Sequence, residues 1–311
     1  GSNNVGLGFD ALANNTTASN NTAVGYQAVY TNTTGIANVG LGAYALQLNT
    51  TGNYNTALGY NAGNAITTGN YNIAIGANAL DVSTTANSNI GIGINALGST
   101  TTGAENVAMG LNALLTNTTG ASNVGIGTYA LNSNTTAAAN TAVGYQALTT
   151  NTTGGDNAAF GYQAAQSNTT GDYLTAIGRQ ALYNNTTADY NTAVGYRALY
   201  ANTTGYENTF VGYIAGDSIT TGVQNTGIGY NAGGAATTGA SNTYLGHGSG
   251  SAITTGNQNT ILGRFSGNGG GLDIRTSSNN IVLSDGSGNP RITANSNGQV
   301  SVGDSVSYGG S

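Results

Sequence analysis

One glycine recurs every 17 residues. It stands at Gly8, Gly25, Gly42, Gly59 and onward to Gly263, sixteen anchors without insertion or deletion. With this glycine as position zero, the register fixes most of the coil. Position −4 is Asn in every repeat but one, as at Asn21, Asn38 and Asn55, with Leu174 the exception. Position −1 is always apolar, and position +3 is Ala from Ala11 to Ala232. Positions +8 and +9 are Thr-Thr from Thr16-Thr17 through Thr33-Thr34 to Thr254-Thr255, followed by Gly or Ala. Helical repeats need two helices and about 30 or more residues per unit. Seventeen also fits neither a heptad nor an 11-residue coil.

A period held this strictly points to an all-β fold, a parallel β-solenoid. Equivalent residues then stack about 4.8 Å apart, and an insertion would shift every ladder. Sixteen coils at that spacing extend about 75 Å. The spacing predicts a strand over Asn-Thr-Ala-Val-Gly-Tyr and a turn over Asn-Thr-Thr-Gly, its glycine supplying a positive φ. The Asn column predicts a side-chain amide ladder.

The repeats compensate internally. Position +4 is usually Leu with Asn at +7. Where +4 becomes Gly63, Gly216, Gly233 or Gly250, position +7 becomes Ile66, Ile219, Ala236 or Ile253. Both positions are expected to fill the same space in a thin core. Glu105, Asp156, Asp172, Asp189 and Glu207 all fall at +11 or +12, marking a corner that faces water.

Composition excludes several functions. Among 311 residues there is no cysteine, one His and five cationic side chains, all Arg, with a net charge of −6. A disulfide framework is impossible, and a four-ligand Cys/His zinc site cannot be assembled. No basic stripe exists for nucleic acid, and no apolar run reaches membrane-spanning length. Low complexity suggests disorder, but 38% hydrophobic residues and 19 tyrosines argue for an ordered β structure. Gly1-Ser2 reads as a cloning or processing scar, and no signal peptide follows.

After Gly263 the pattern fails. Residues 3–267 are therefore expected to form the repeat shaft and residues 268–311 a small β module. Gly267 to Gly271 would be a hinge, short strands would follow, and Asn297-Gly298 gives a hairpin signal. The module is expected to cap the shaft by pairing with copies of itself.

Asn-Thr-Ala-Val-Gly-Tyr-Gln-Ala-Leu at 140–148 resembles the head repeat of trimeric autotransporter adhesins. With Asn-Thr-Thr-Gly added, it is more similar to bacteriophage tail fibres. Asn280-Ile281-Val282-Leu283-Ser284-Asp285-Gly286 and Pro290-Arg291-Ile292-Thr293 resemble the segment preceding an autocleaved intramolecular chaperone in phage fibres and endosialidase tailspikes. The resemblance implies a left-handed β-roll in a homotrimer, with Ser311 as the end left by self-cleavage. It implies a virion tail fibre that binds a bacterial surface glycan or outer-membrane receptor and assembles with other fibre or virion proteins. The alternative is an adhesin head on a bacterial cell surface. A third reading is an ice-binding solenoid, with Thr-Thr as its hydroxyl array.

The candidate receptor site is position +1, where Tyr145, Tyr162, Arg179, Tyr196, Tyr213, Tyr230, His247 and Arg264 occupy consecutive coils. Aromatic faces stack on sugars and arginines hold anionic groups. The plainer reading is an aromatic column packed against a neighbouring chain. The Asn-Thr-Thr sequons are expected to be turns, Asp273 a linker residue, and His247 a residue without catalytic partners. No cofactor, metal or enzymatic activity is expected, because no Ser/His/Asp set or close carboxylate pair occurs.

Overall fold

In the computed structural model, residues 1–303 are described. They contain no helix and form a parallel β-solenoid with 17-residue coils. Two compact units divide the chain, Gly1–Asn157 and Ala158–Ser311. The first holds nine strands, β1 (Val5–Leu7) to β9 (Thr141–Val143), each three residues long. Each pairs in parallel with the residue 17 positions on, as Val5 with Thr22 and Thr22 with Val39.

The second unit begins with seven more such strands. They are β10 (Ala158–Phe160), β11 (Thr175–Ile177), β12 (Thr192–Val194), β13 (Thr209–Val211), β14 (Thr226–Ile228), β15 (Thr243–Leu245) and β16 (Thr260–Leu262). Regular strand therefore covers only positions −3 to −1, half of the expected segment. The remainder of each coil is turn, yet its backbone also bonds from coil to coil. The Leu46 N–H donates to the Ala62 carbonyl at 3.0 Å, and the Thr33 N–H to that of Thr50 at 3.0 Å.

The turns have a different chemistry from the one expected. The glycines after Thr-Thr, such as Gly35 and Gly52, are not left-handed; the position is buried and tightly packed, and holds only Gly or Ala, as at Ala18 and Ala137. The left-handed residues are at +2, +4 and +12, for example Gln27 (φ 50°), Leu46 (51°) and Tyr54 (58°). A left-handed non-glycine costs about 1–2 kcal/mol. At +4 the Leu side chain is fully buried, and that burial is worth about 1.5–3 kcal/mol, enough to offset the strain. The anchor glycine sits near φ 134°, where only glycine is at ease, and a Cβ on it would strike the next anchor's backbone.

The core is thin. Ala at −2 and +3 and Leu at +4 fill it from the two sides. The compensation between +4 and +7 is spatial: a Cβ on Gly63 would lie 3.1 Å from both Ile66 and Leu46. A second exchange emerges in the other unit. Phe210 and Tyr244 at −2 are fully buried, and their rings occupy the space a side chain at Gly216 or Gly250 would need.

Two asparagine ladders line the interior. At −4, each Oδ1 accepts the next coil's N–H, as Asn38 N–H to Asn21 Oδ1 at 2.9 Å. Its Nδ2 donates across the coil, as Asn38 to the Gly52 carbonyl at 2.8 Å. Amide-to-amide bonds are secondary there, as between Asn72 and Asn55 at 3.1 Å. The second ladder, at +7, was not expected. It links amide to amide directly, as Asn49 Nδ2 to Asn32 Oδ1 at 2.9 Å.

The solenoid also runs past the boundary expected at residue 267. Strand β19 (Ile281–Ser284) pairs in parallel with β16, 21 residues on, and Asn280 continues the ladder by bonding Asn259 Oδ1 through its N–H at 3.0 Å. The extra residues leave the coil as a tight excursion, β17 (Asn268–Gly269) against β18 (Leu272–Asp273), where a hinge was expected. Strand β20 (Pro290–Ala294) then adds antiparallel to β19, and β21 (Val300–Val302) antiparallel to β20, within the same chain. Ser311 lies outside the described residues.

Candidate functional site

Alternation along each strand decides what the outside shows. Position −2 points inward and is buried, so −3 and −1 face out. The inward column is the small one, since Ala and Leu from the opposite side already occupy the core. The bulky apolar column is therefore at the surface, half-buried in some coils and exposed in others. In the first unit it includes Leu58 and Met109, and in the second Phe160, Ile177 and Leu245, each 40% or more accessible. Isolated exposed apolar residues are ordinary, but a contiguous apolar face marks an interaction surface.

Position +1 borders this face on one side. In the second unit the side chains stack from coil to coil. Ring centroids lie 5.1 Å apart for Tyr196 and Tyr213, 5.6 Å for Tyr213 and Tyr230, and 4.7 Å for Tyr230 and His247, all nearly parallel. The Arg179 guanidinium lies 5.4 Å from the Tyr162 ring centre and 6.0 Å from that of Tyr196. Arg264 is exposed in the next coil. In the first unit the column is broken: Phe9 stacks on Tyr26 at 5.6 Å, Ala43 follows, and Tyr145 is exposed. The expected site residues are thus brought into one column. The stacking covers the ring faces with neighbouring rings, leaving edges and hydroxyls. A sugar stacks on an open face, so this geometry favours a packing column.

Positions +11 and +12 border the face on the other side, and there the acids gather. The Asp172 N–H donates to Asp189 Oδ1 at 2.9 Å, and Gln224 Nε2 donates to Glu207 Oε2 at 2.9 Å. Tyr173 and Tyr190 stack at 5.1 Å within this column, as Tyr54 and Tyr71 do in the first unit.

Sequence reasoning missed one polar cluster. Arg197 at +2 meets Asp217 at +5 of the next coil, at 3.1 Å, and its guanidinium lies 4.0 Å from the Tyr200 ring centre. Burial raises the Asp217 carboxyl above its ordinary value, and Arg197 opposes that shift. The signal was a spacing of 20 residues between these columns. The same spacing joins Gln47 to Gln27 at 2.8 Å.

Other candidates resolve into structure. The +8 threonine hydroxyls donate to the next coil's carbonyl, as Thr33 to Thr50 at 3.0 Å, so only the +9 row of the Thr-Thr array remains outward. Sequon asparagines such as Asn32 and Asn117 are fully buried in the +7 ladder. Asp273 pairs with Arg275 at 2.7 Å, and this holds its carboxyl down at about 2. No group of three His, Cys, Asp or Glu that could hold a metal ion occurs among the described residues.

The chain matches no protein-family model, no curated protein and no solved structure.

Proposed function

We propose that the chain is the shaft and host-facing part of an extracellular fibre, a homotrimer on a phage tail that presents itself to a bacterial surface. The observation that carries this reading is the outward apolar column at −1, continued through coil after coil. A rigid repeat with such a face suits an elongated structural assembly better than a free single chain. The repeat phrase and the 280–293 segment, which resemble phage fibres, supply the host-recognition half of the proposal.

In this reading the +1 column packs, and the receptor, a surface glycan or an outer-membrane protein, is met elsewhere. The test pairs two measurements on the Tyr196→Ala/Tyr213→Ala double variant: mass in solution and binding of labelled protein to host cells. Packing predicts a lowered assembly mass. Lost binding at unchanged mass makes the column the receptor site instead. A glycan array with the unaltered protein tests the receptor class, and an absence of binding to any glycan, cell or envelope fraction rejects host recognition.

A further inference from the structure

We infer that the outer strand face of the second unit is where a second copy of this chain docks, parallel and in register, with the +1 edge of one copy against the +11/+12 edge of its neighbour. This rests on the self-associating fibre reading above and adds which surface is used and how the copies are aligned.

Charge complementarity at matched levels carries the inference. Each strand has an acidic or polar residue on one side, where Tyr173, Tyr190 and Tyr206 stand beside the acids, and an aromatic or basic residue on the other. Strand β11 lies between Asp172 and Arg179, β12 between Asp189 and Tyr196, and β13 between Glu207 and Tyr213. Two copies side by side in the same direction therefore place a guanidinium and two phenol O–H donors opposite three carboxylates, level by level. A copy turned end for end joins like edges and loses this match. The only other Arg in the 17-residue coils besides Arg179 and Arg264 is Arg197, which is engaged by Asp217 on the other side of its coil. Arg179 is thus the one cation among these acids.

Eight strand levels stepped about 4.8 Å make the face about 34 Å long. Between its edges the face carries the apolar −1 column beside a −3 column of Thr, from Thr175 to Thr260, and it widens at its end. Ile281 and Leu283 of β19 continue the −3 and −1 columns, and cross-strand pairing sets Ile292 beside Leu283 and Val302 beside Ile292. Val300 and Val302 are 65% and 78% accessible. An edge that meets a different edge closes into a ring or continues as an open chain, so a closed trimer is compatible with this contact.

The absence of native cysteine makes the test clean. In an Asp172→Cys/Arg179→Cys variant the two thiols lie on opposite edges of β11, farther apart than the about 10 Å that its three residues span. A disulfide needs Cα atoms about 4.4–6.8 Å apart, so only two copies can link. Oxidation is expected to convert most of the protein to covalent oligomers, while Asp172→Cys/His247→Cys, four levels out of register, stays unlinked. Arg179→Glu is expected to weaken association at least about tenfold, and Asp172→Arg/Arg179→Glu to restore it. An assembly that persists in solution but does not link overturns this inference and leaves the fibre reading standing. A monomeric mass for the unaltered protein overturns both.

Discussion

Replacing Asn123 by Ala tests the ladder where its bonds can be counted. Asn123 is fully buried at −4. Its Oδ1 accepts the Asn140 N–H at 3.0 Å, and its Nδ2 donates to the Ala137 carbonyl at 2.8 Å and to Asn106 Oδ1, which also accepts the Asn123 N–H, at 3.2 Å. Ala137 retains a second donor, Asn134, at 3.1 Å, so only the Asn140 N–H is orphaned. A stranded buried donor costs about 1–3 kcal/mol and a lost bond about 0.5–1.5 kcal/mol, so the variant should lose about 2–4 kcal/mol. Leu174 is the same experiment already performed in the other unit. It is buried and offers no side-chain oxygen to the Asn191 N–H. Its apolar burial is worth about 1.5–3 kcal/mol, close to the polar terms it forgoes. Leu174→Asn should therefore change stability by no more than about 1–2 kcal/mol. Urea unfolding gives the free energies, and hydrogen exchange at the Asn140 amide localises the effect. A loss below about 0.5 kcal/mol in Asn123→Ala, with Asn140 still protected, refutes the ladder as a stabilising element.

Other perturbations follow from the same coil. Gly127→Ala places a Cβ 2.5 Å from the Gly144 carbonyl oxygen at φ 130°, and a loss of more than about 3 kcal/mol is expected in thermal unfolding. Tyr244→Phe removes a buried hydroxyl that has no hydrogen-bond partner and should raise the melting temperature. Burial raises the Asp81 carboxyl above its ordinary 3.8, so the folded state disfavours its ionised form. That penalty is present at neutral pH and disappears as pH falls below the unfolded value. Asp81→Asn should thus melt higher than the parent at pH 7 and match it at about pH 3.

The period, the all-β class, the −4 column and the exchange between +4 and +7 were legible in sequence because each is a repeated identity. The direction of the strand was not legible. Ala at −2 and Leu at −1 alternate either way round, and only the fill from Ala and Leu on the opposite side decides which points inward. Left-handed +4 was hidden because Leu stands there, and strain tolerated for burial leaves no glycine to mark it. The +7 ladder was hidden inside what looked like turn chemistry. The final coil was missed because four added residues broke the count. Asn280-Ile281-Val282-Leu283-Ser284 nonetheless matches Asn259-Thr260-Ile261-Leu262-Gly263 position for position. Position +1 was recognised as special, with a stacked aromatic column as its plainer reading.

The claim that the outer strand face is covered by further copies of this chain is tested most directly by sedimentation equilibrium of the unaltered protein. The account predicts a single species at three times the 30.7 kDa chain mass, stable on dilution. A species at 30.7 kDa with the apolar −1 column open to water would contradict it.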